Sequence, residues 1–163
     1  MGRKSTKVNK NIYFKSRESA GLTREKAAEK MDFITADRIE KIESERATPH
    51  PEEILAMADC YKNPILCNYY CSTVCRIGQE YVPEVKVKEL SQITLEMLAT
   101  LNTLSKEKDR FIEITVDGSI TDDELPDFKR IQEELERMSL AISSLKLWVD
   151  NAVNSGGIIK EEF

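Results

Sequence analysis

Residues 21–43 read GLTREKAAEKMDFITADRIEKIE, and this stretch decides the fold of the N-terminal half of the chain. Gly21 is suited to end one helix, because glycine readily adopts the left-handed conformation found after helix C-termini. Thr23 and Thr35 each precede a run of helix-forming residues and are suited to cap it through their side-chain oxygens. Apolar residues recur at helical spacing in both runs, at Ala27, Ala28, Met31, Ile39 and Ile42. The stretch therefore predicts two short helices joined by a tight turn.

Three further helices are predicted around this pair. Residues 11–17 suit a first helix, and Pro51 opens a fourth, since proline is favoured at the first position of a helix. Asn63 and Pro64 mark the start of a fifth helix, which we expect to run to residue 75. Strand-like alternation of apolar and polar residues is almost absent from the chain. We therefore predict an all-α protein whose N-terminal domain, residues 11–77, contains five helices.

Four cysteines lie close together near the end of this domain. In a helix that runs to residue 75, the last three recur every four residues and form one stripe. Small apolar side chains packed against a neighbouring helix explain this stripe, because free cysteine is among the most buried residue types. A metal or redox site is the alternative, and it requires the first cysteine to fold back onto the stripe. The cysteines concerned are Cys60, Cys67, Cys71 and Cys75.

Residues 78–86 are predicted to be a linker, and beyond them the pattern changes to heptads. Two long amphipathic helices within residues 87–154, joined at residues 117–119, are expected to form an antiparallel hairpin. Two helices alone leave much of such a seam exposed, so we expect the hairpin to form a homodimer. Residues 155–163 are predicted to be a flexible tail. The seam consists of Leu90, Ile93, Met97, Leu101, Leu104, Lys108 and Phe111 on the first helix, and of Leu125, Phe128, Leu135, Met138, Ile142, Leu145 and Val149 on the second.

The turn of the hairpin allows two interpretations. Residues 117–124 resemble the second half of a calcium-binding EF-hand loop, but Glu113 and Thr115 stand where that loop needs aspartate or asparagine ligands. The simpler interpretation is that Gly118 ends the first helix, while Thr121 and Glu124 form a capping box at the start of the second. We therefore predict a capped turn rather than a calcium site.

Charge is distributed unevenly along the 163 residues. Residues 1–50 carry 12 basic and 8 acidic side chains, whereas residues 51–163 carry 12 and 21. Such asymmetry is typical of a basic binding module attached to an acidic domain. The first part of the basic module, residues 1–10, is predicted to be a positively charged arm.

Several classes of protein are excluded by the composition. No apolar run approaches the roughly 20 residues that span a bilayer, and no apolar segment follows the basic N-terminus as an export signal requires. A single histidine, His50, and the absence of a glycine-rich phosphate loop leave no grouping suited to nucleophilic catalysis. We expect a cytoplasmic protein that is not an enzyme, uses no cofactor and does not bind membranes.

Several stretches together resemble one known family. Residues 21–31, residues 39–43, Pro49 and residues 54–61 keep the order, and nearly the spacing, of the Cro/repressor-type (XRE) helix-turn-helix regulators of bacteria and their phages. The resemblance covers residues 10–75 and implies that the second helix lies across the DNA backbone while the third enters the major groove.

The chain departs from the family pattern at several points. One extra residue separates the second and third helices, and Asp32 and Glu45 stand where the family commonly has glycine. Asp37 and Glu40 place negative charge near the implied groove, where carboxylates either select cytosine amino groups or repel DNA.

The resemblance also implies which residues contact double-stranded DNA. Arg38 is the expected partner of a guanine, because arginine pairs with guanine through two hydrogen bonds. Phosphate contacts are expected for the other arginines, and the basic arm would follow the backbone or enter a minor groove. The implied function is a transcriptional regulator that acts as a dimer; the alternative is a protein-interaction adaptor whose helix-turn-helix no longer binds DNA. The implied DNA-binding residues are Arg17, Arg24, Thr35, Ala36, Asp37, Arg38, Lys41 and Arg46.

Overall fold

Helices account for all regular secondary structure in residues 10–157, which are the residues that a computed structural model of the chain describes. This result confirms the predicted all-α class. None of these helices is both long and apolar enough to cross a membrane. Most of the expected basic arm and the end of the expected tail lie outside the described residues. The helices are α1 (Ile12–Ser19), α2 (Arg24–Met31), α3 (Ala36–Glu43), α4 (Pro51–Cys60), α5 (Ile65–Thr73), α6 (Arg76–Tyr81), α7 (Leu90–Thr115) and α8 (Leu125–Asn154).

The described residues divide into two compact units. One unit comprises the residues up to 84 together with those from 151 onward, and the other comprises residues 85–150. The first unit contains α1 to α6, and the second contains α7 and most of α8.

Side-chain caps begin the first three helices, as predicted for Thr23 and Thr35. The Thr23 hydroxyl accepts a hydrogen bond from the backbone N–H of Lys26 at 3.2 Å, and the Thr35 hydroxyl accepts one from the N–H of Arg38 at 3.2 Å. Asn11 caps α1 in the same way. Each cap satisfies one of the N–H groups that a helix start leaves free, so local sequence determines where these helices begin.

An apolar core holds α1 to α5 together. Ile39 and Ile42 of α3 are 0% and 1% exposed, and Ile34, in the turn before α3, is 2% exposed. One face of α3 is therefore buried, while the opposite face remains at the surface. The core also contains Tyr13, Ala27, Met31, Ile54, Met57, Ala58, Tyr61 and Leu66.

The end of the first unit differs from the prediction. α5 ends at Thr73, and α6 occupies residues 76–81, part of which the sequence predicts to be a linker. Gly78 permits this arrangement, because a Cβ atom at that position would lie only 2.1 Å from the backbone oxygen of Cys71. Glycine thus allows α6 to pack directly on α5.

The cysteines do not form the predicted single stripe. Cys67 and Cys71 lie on α5, whereas Cys75 is the N-cap residue of α6. All four cysteines are half-buried, and none of them forms a disulfide. Within residues 10–157, no cluster of histidine, cysteine, aspartate and glutamate side chains has the arrangement of a metal site. Half-burial among neighbouring helices favours the packing interpretation.

Two ion pairs define the register of α7 and α8. Arg110 Nε lies 2.7 Å from Asp127 Oδ2, and Arg130 Nη2 lies 2.8 Å from Glu107 Oε2. From the first pair to the second, the position on α7 decreases by three residues and the position on α8 increases by three. The two helices therefore run antiparallel, as the heptad pattern predicts.

The buried face of this hairpin shares only Ile93 with the predicted seam. Leu101, Leu135 and Ile142 belong to that seam, yet they are 49%, 45% and 52% exposed. Two helices bury only the narrow stripe that each turns toward the other, so a neighbouring apolar stripe stays at the surface. The side chains that are buried are Ile93, Thr100 and Ile114 on α7, and Ile131, Ala141, Ser144 and Leu147 on α8.

The turn between α7 and α8 forms part of the predicted capping box. The Glu124 carboxylate accepts hydrogen bonds from the backbone N–H and the hydroxyl of Thr121, at 3.0 and 2.6 Å. α8 begins at Leu125, so Glu124 lies just before the helix rather than at its third position. The hydrogen bonds of this carboxylate thus hold the turn together.

Candidate nucleic-acid interface

α2, α3 and the turn between them form the predicted helix-turn-helix. With Ile39 and Ile42 buried, the outward face of α3 carries Thr35, Asp37 and Lys41, which are exposed, and Ala36, which is half-buried. The N-terminal part of this face is the part that a helix-turn-helix presents to base edges.

Two of the departures from the family pattern keep the backbone geometry of the glycine that they replace. Asp32 has φ of 56°, and Glu45 has φ of 60°, a region that residues with a Cβ atom rarely occupy. At Asp32 the chain closes a three-residue turn, in which the N–H of Phe33 donates to the carbonyl of Met31 at 2.6 Å. The tight connections at the ends of α2 and α3 are therefore retained without glycine.

Replacing Glu45 with glycine should raise the free energy of unfolding by about 1 kcal/mol. A left-handed conformation costs a residue with a Cβ atom roughly 1–2 kcal/mol, and the greater chain entropy of glycine offsets part of that gain. Equilibrium urea unfolding measures the change. Glu45→Ala is the matched control, because it removes the carboxylate but keeps the Cβ atom, and it should bring no gain. An equal gain in both variants would assign the effect to charge instead of backbone geometry.

Every basic side chain implied to contact DNA pairs with a carboxylate of the same unit. The burial of each pair indicates whether its cation can leave the carboxylate and contact a phosphate or a base. Breaking a buried ion pair is costly, whereas an exposed pair adds little stability and separates easily. The pairs are Arg17–Glu43, Arg24–Glu43, Arg38–Glu53, Lys41–Asp37 and Arg46–Glu40.

The Glu43 carboxylate joins α1, α2 and α3 below the surface. Arg17 Nη2 donates to Glu43 Oε2 at 3.0 Å, and Arg24 Nε donates to the same oxygen at 2.8 Å. Arg17 also donates to the backbone oxygen of Leu22 at 2.7 Å, and its side chain is only 8% exposed. This burial does not fit the phosphate contact expected for Arg17, which instead fixes the packing of the three helices. The Arg24 side chain is 30% exposed and stays near the surface.

Arg38 clamps α3 to the start of α4. Its guanidinium donates to both oxygens of Glu53, at 2.6 and 2.7 Å, and to the backbone oxygen of Thr48 at 3.0 Å. These hydrogen bonds hold the pKa of Glu53 below its ordinary value, so the carboxylate stays ionised. A two-pronged pairing with Glu53 occupies the hydrogen-bond donors that guanine would need. Arg38 is therefore engaged within its own domain in this structure, and its expected guanine contact, which requires this pairing to open, stays a prediction.

The remaining pairs lie on the exposed surface of α3 and just beyond it. Lys41 Nζ is 2.6 Å from Asp37 Oδ2, and the two side chains are 46% and 71% exposed. The hydrogen bond from Lys41 lowers the pKa of Asp37, so Asp37 is ionised and only accepts hydrogen bonds. Arg46 pairs with Glu40, and its side chain is 59% exposed. Since exposed pairs are easily exchanged, Asp37, Lys41 and Arg46 are available to a ligand.

Sequence reasoning missed the two carboxylates that organise the arginines. Glu43 and Glu53 are buried, and the signal that could have revealed them is a charged residue on the otherwise apolar face of a helix. Sequence reasoning also did not single out one exposed aromatic side chain. Phe33, in the turn before α3, is 64% exposed. Its signal was an aromatic residue next to polar turn residues.

Comparisons with known proteins agree with this geometry. A family model described as helix-turn-helix matches residues 15–65, a range that includes all of α2, α3 and α4. No curated protein and no solved structure gave a significant match to the chain.

Proposed function

We propose that residues 15–65, which match a helix-turn-helix family model, form a DNA-binding domain of the Cro/repressor (XRE) type, and that the chain is a sequence-specific transcriptional regulator that binds operator DNA as a homodimer. The observation that carries this proposal is the exposed polar face of α3. Two buried isoleucines and the ion pairs of Glu43 and Glu53 fix that face in position, as a reading helix requires.

Because Arg38 pairs with Glu53, we assign base reading to Asp37 and Lys41. An ionised aspartate accepts a hydrogen bond from the amino group of cytosine, and a lysine donates to the O6 and N7 atoms of guanine. The two side chains lie one helical turn apart and pair with each other in the free protein. On DNA, each exchanges its partner for a base edge, and the exposed pair is easily parted.

Phosphate contacts position the domain and contribute much of the affinity without selecting sequence. Arg24 stands at the first position of α2, and Arg46 follows α3, so each flanks the reading face from one side. Their partial exposure makes both suitable for phosphates on either side of the groove.

Replacing Asp37 with asparagine should change the preferred base at one position of each half-site from cytosine to adenine. The asparagine side chain pairs with the N6 and N7 atoms of adenine, whereas a carboxylate only accepts hydrogen bonds. Selection of bound sequences from random duplex DNA, run in parallel for both proteins, measures the preference. We expect a discrimination of roughly tenfold at that position.

The matched control for this experiment is Asp59→Asn, which removes one exposed carboxylate at the end of α4 and should leave the selected sequence unchanged. If Asp37→Asn selects the same bases as the original protein at every position, Asp37 does not read a base.

Homodimerisation is proposed through an apolar stripe on the hairpin. The stripe consists of exposed apolar side chains outside the buried face of each helix, and a second copy carries the same stripe, as a twofold interface requires. Pairing two hairpins would make a four-helix bundle and bury these side chains. The stripe comprises Leu98, Leu101 and Ile112 on α7 and Leu135 and Ile142 on α8, which are 45–57% exposed.

A protein-interaction adaptor is the second candidate. The observation that favours it is the pairing of all five implied DNA-contacting cations with carboxylates, which lowers the positive potential of the surface. Fluorescence anisotropy with labelled random duplex at low ionic strength separates the two functions. A regulator retains salt-dependent binding to any duplex, whereas an adaptor shows none.

A further inference from the structure

Phe33 is an apolar ring held at the surface beside the reading helix. Among the described residues up to 50, it is the one large hydrophobic side chain that is exposed, at 64%. The next residue, Ile34, is only 2% exposed and anchors the turn in the core. An exposed aromatic ring in a stretch whose other large apolar side chains are buried or half-buried suggests contact with a ligand.

The backbone on both sides of Phe33 is fixed. Its N–H donates to the carbonyl of Met31 at 2.6 Å across the turn at Asp32, whose φ is 56°. Two residues later, Thr35 caps α3 by accepting the N–H of Arg38 at 3.2 Å. The turn and the cap thus fix the position of the Phe33 backbone relative to the N-terminus of α3. The point at which the Phe33 side chain leaves the backbone is therefore fixed as well.

We propose that Phe33 is a specificity-determining residue that contacts the 5-methyl group of a thymine in the major groove, next to the bases read by α3. This inference rests on the proposed DNA-binding function. The thymine methyl is the apolar group on the floor of that groove, and phenylalanine is one of the side chains that contact it. Ala36, a second apolar residue, follows three positions later at the start of α3 and is half-buried.

The position of Phe33 distinguishes it from other exposed apolar side chains of the first unit. Leu55 of α4 is 63% exposed, but it lies outside α2, the turn and α3.

Replacement of thymine by deoxyuridine tests the inference, because it removes only the methyl group. An operator obtained by selection with the full chain is synthesised with each thymine of one half-site replaced in turn, and dissociation constants are measured by fluorescence anisotropy. We expect one replacement to weaken binding of the original protein about fourfold, the effect of losing one buried methyl group.

Phe33→Ala should weaken binding to the normal operator by a similar or larger factor and should be insensitive to that same replacement. Phe33→Leu keeps an apolar side chain and should retain part of the methyl effect. Leu55→Ala is the matched control and should behave as the original protein does. Thermal unfolding followed by circular dichroism confirms that each variant is folded.

The outcomes separate the two levels of the proposal. If the original protein binds DNA but every thymine replacement changes its dissociation constant by the same factor as that of Phe33→Ala, the methyl contact is overturned and the DNA-binding function stands. If the original protein binds no duplex at low ionic strength, the proposed function itself is overturned.

Discussion

Replacing Glu43 with glutamine should lower the free energy of unfolding by about 3–5 kcal/mol, because the variant leaves the buried Arg17 guanidinium without a counter-charge. The Glu43 side chain is 1% exposed and that of Arg17 is 8% exposed, so water cannot replace the lost partner. Arg24 also loses its carboxylate, but its side chain is 30% exposed and can be hydrated. Urea unfolding followed by far-ultraviolet circular dichroism measures the loss.

Glu40→Gln is the matched control, since it makes the same chemical change on the same helix at a carboxylate that pairs with the exposed Arg46. It should change the stability little. A double variant, Arg17→Met with Glu43→Leu, should recover most of the stability, because replacing both partners by apolar groups removes the unpaired charge. Equal losses in Glu43→Gln and Glu40→Gln would show that burial of the pair has no special role.

Introducing glutamate at Leu101 and Ile142 should halve the mass of the protein in solution and weaken operator binding at least about a hundredfold. The two charges would have to be buried in the proposed dimer, and a monomer loses the effective concentration that links two half-site contacts. Both side chains are exposed in the single chain, at 49% and 52%, so the monomer should remain folded. Light scattering measures the mass, and anisotropy with a two-half-site operator measures binding.

Leu55→Glu is the control for this experiment. Leu55 lies on α4, outside the hairpin, and is 63% exposed, so a charge there should affect neither the mass nor the affinity. A stripe variant with unchanged mass and unchanged affinity would exclude the stripe as the dimer interface.

The starts of α2 and α3 followed from local sequence. A capping threonine acts on an N–H only three residues away, so Thr23 and Thr35 are recognisable without knowledge of the rest of the fold. The periodic isoleucines of α3 likewise predict its buried face, because helical spacing alone brings them together. The positive φ angles of Asp32 and Glu45 are of the kind that glycine adopts most easily, although neither residue is glycine.

The ion pairs did not follow from local sequence. Arg17 and Glu43 are 26 residues apart, and Arg38 and Glu53 are 15 apart. Whether an arginine reaches DNA or a carboxylate of its own domain depends on how the helices pack, and residue type does not reveal it. For this reason the sequence did not reveal that Arg17 and Arg38 pair within the domain, and the contacts of Asp37 and Lys41 with bases are proposals.

The sequence by itself therefore determined the all-α class, the caps, the helix-turn-helix and the antiparallel hairpin, because each depends on contacts within a few residues or on a repeating period. Tertiary structure alone decided which cations remain available at the reading face, which stripe of the hairpin is buried and which is left exposed, and that α6 packs on α5 at Gly78. These features depend on contacts between residues that are far apart in the chain. The free energy of such contacts comes from burying apolar surface and charges between packed helices, and a short segment cannot bury them by itself.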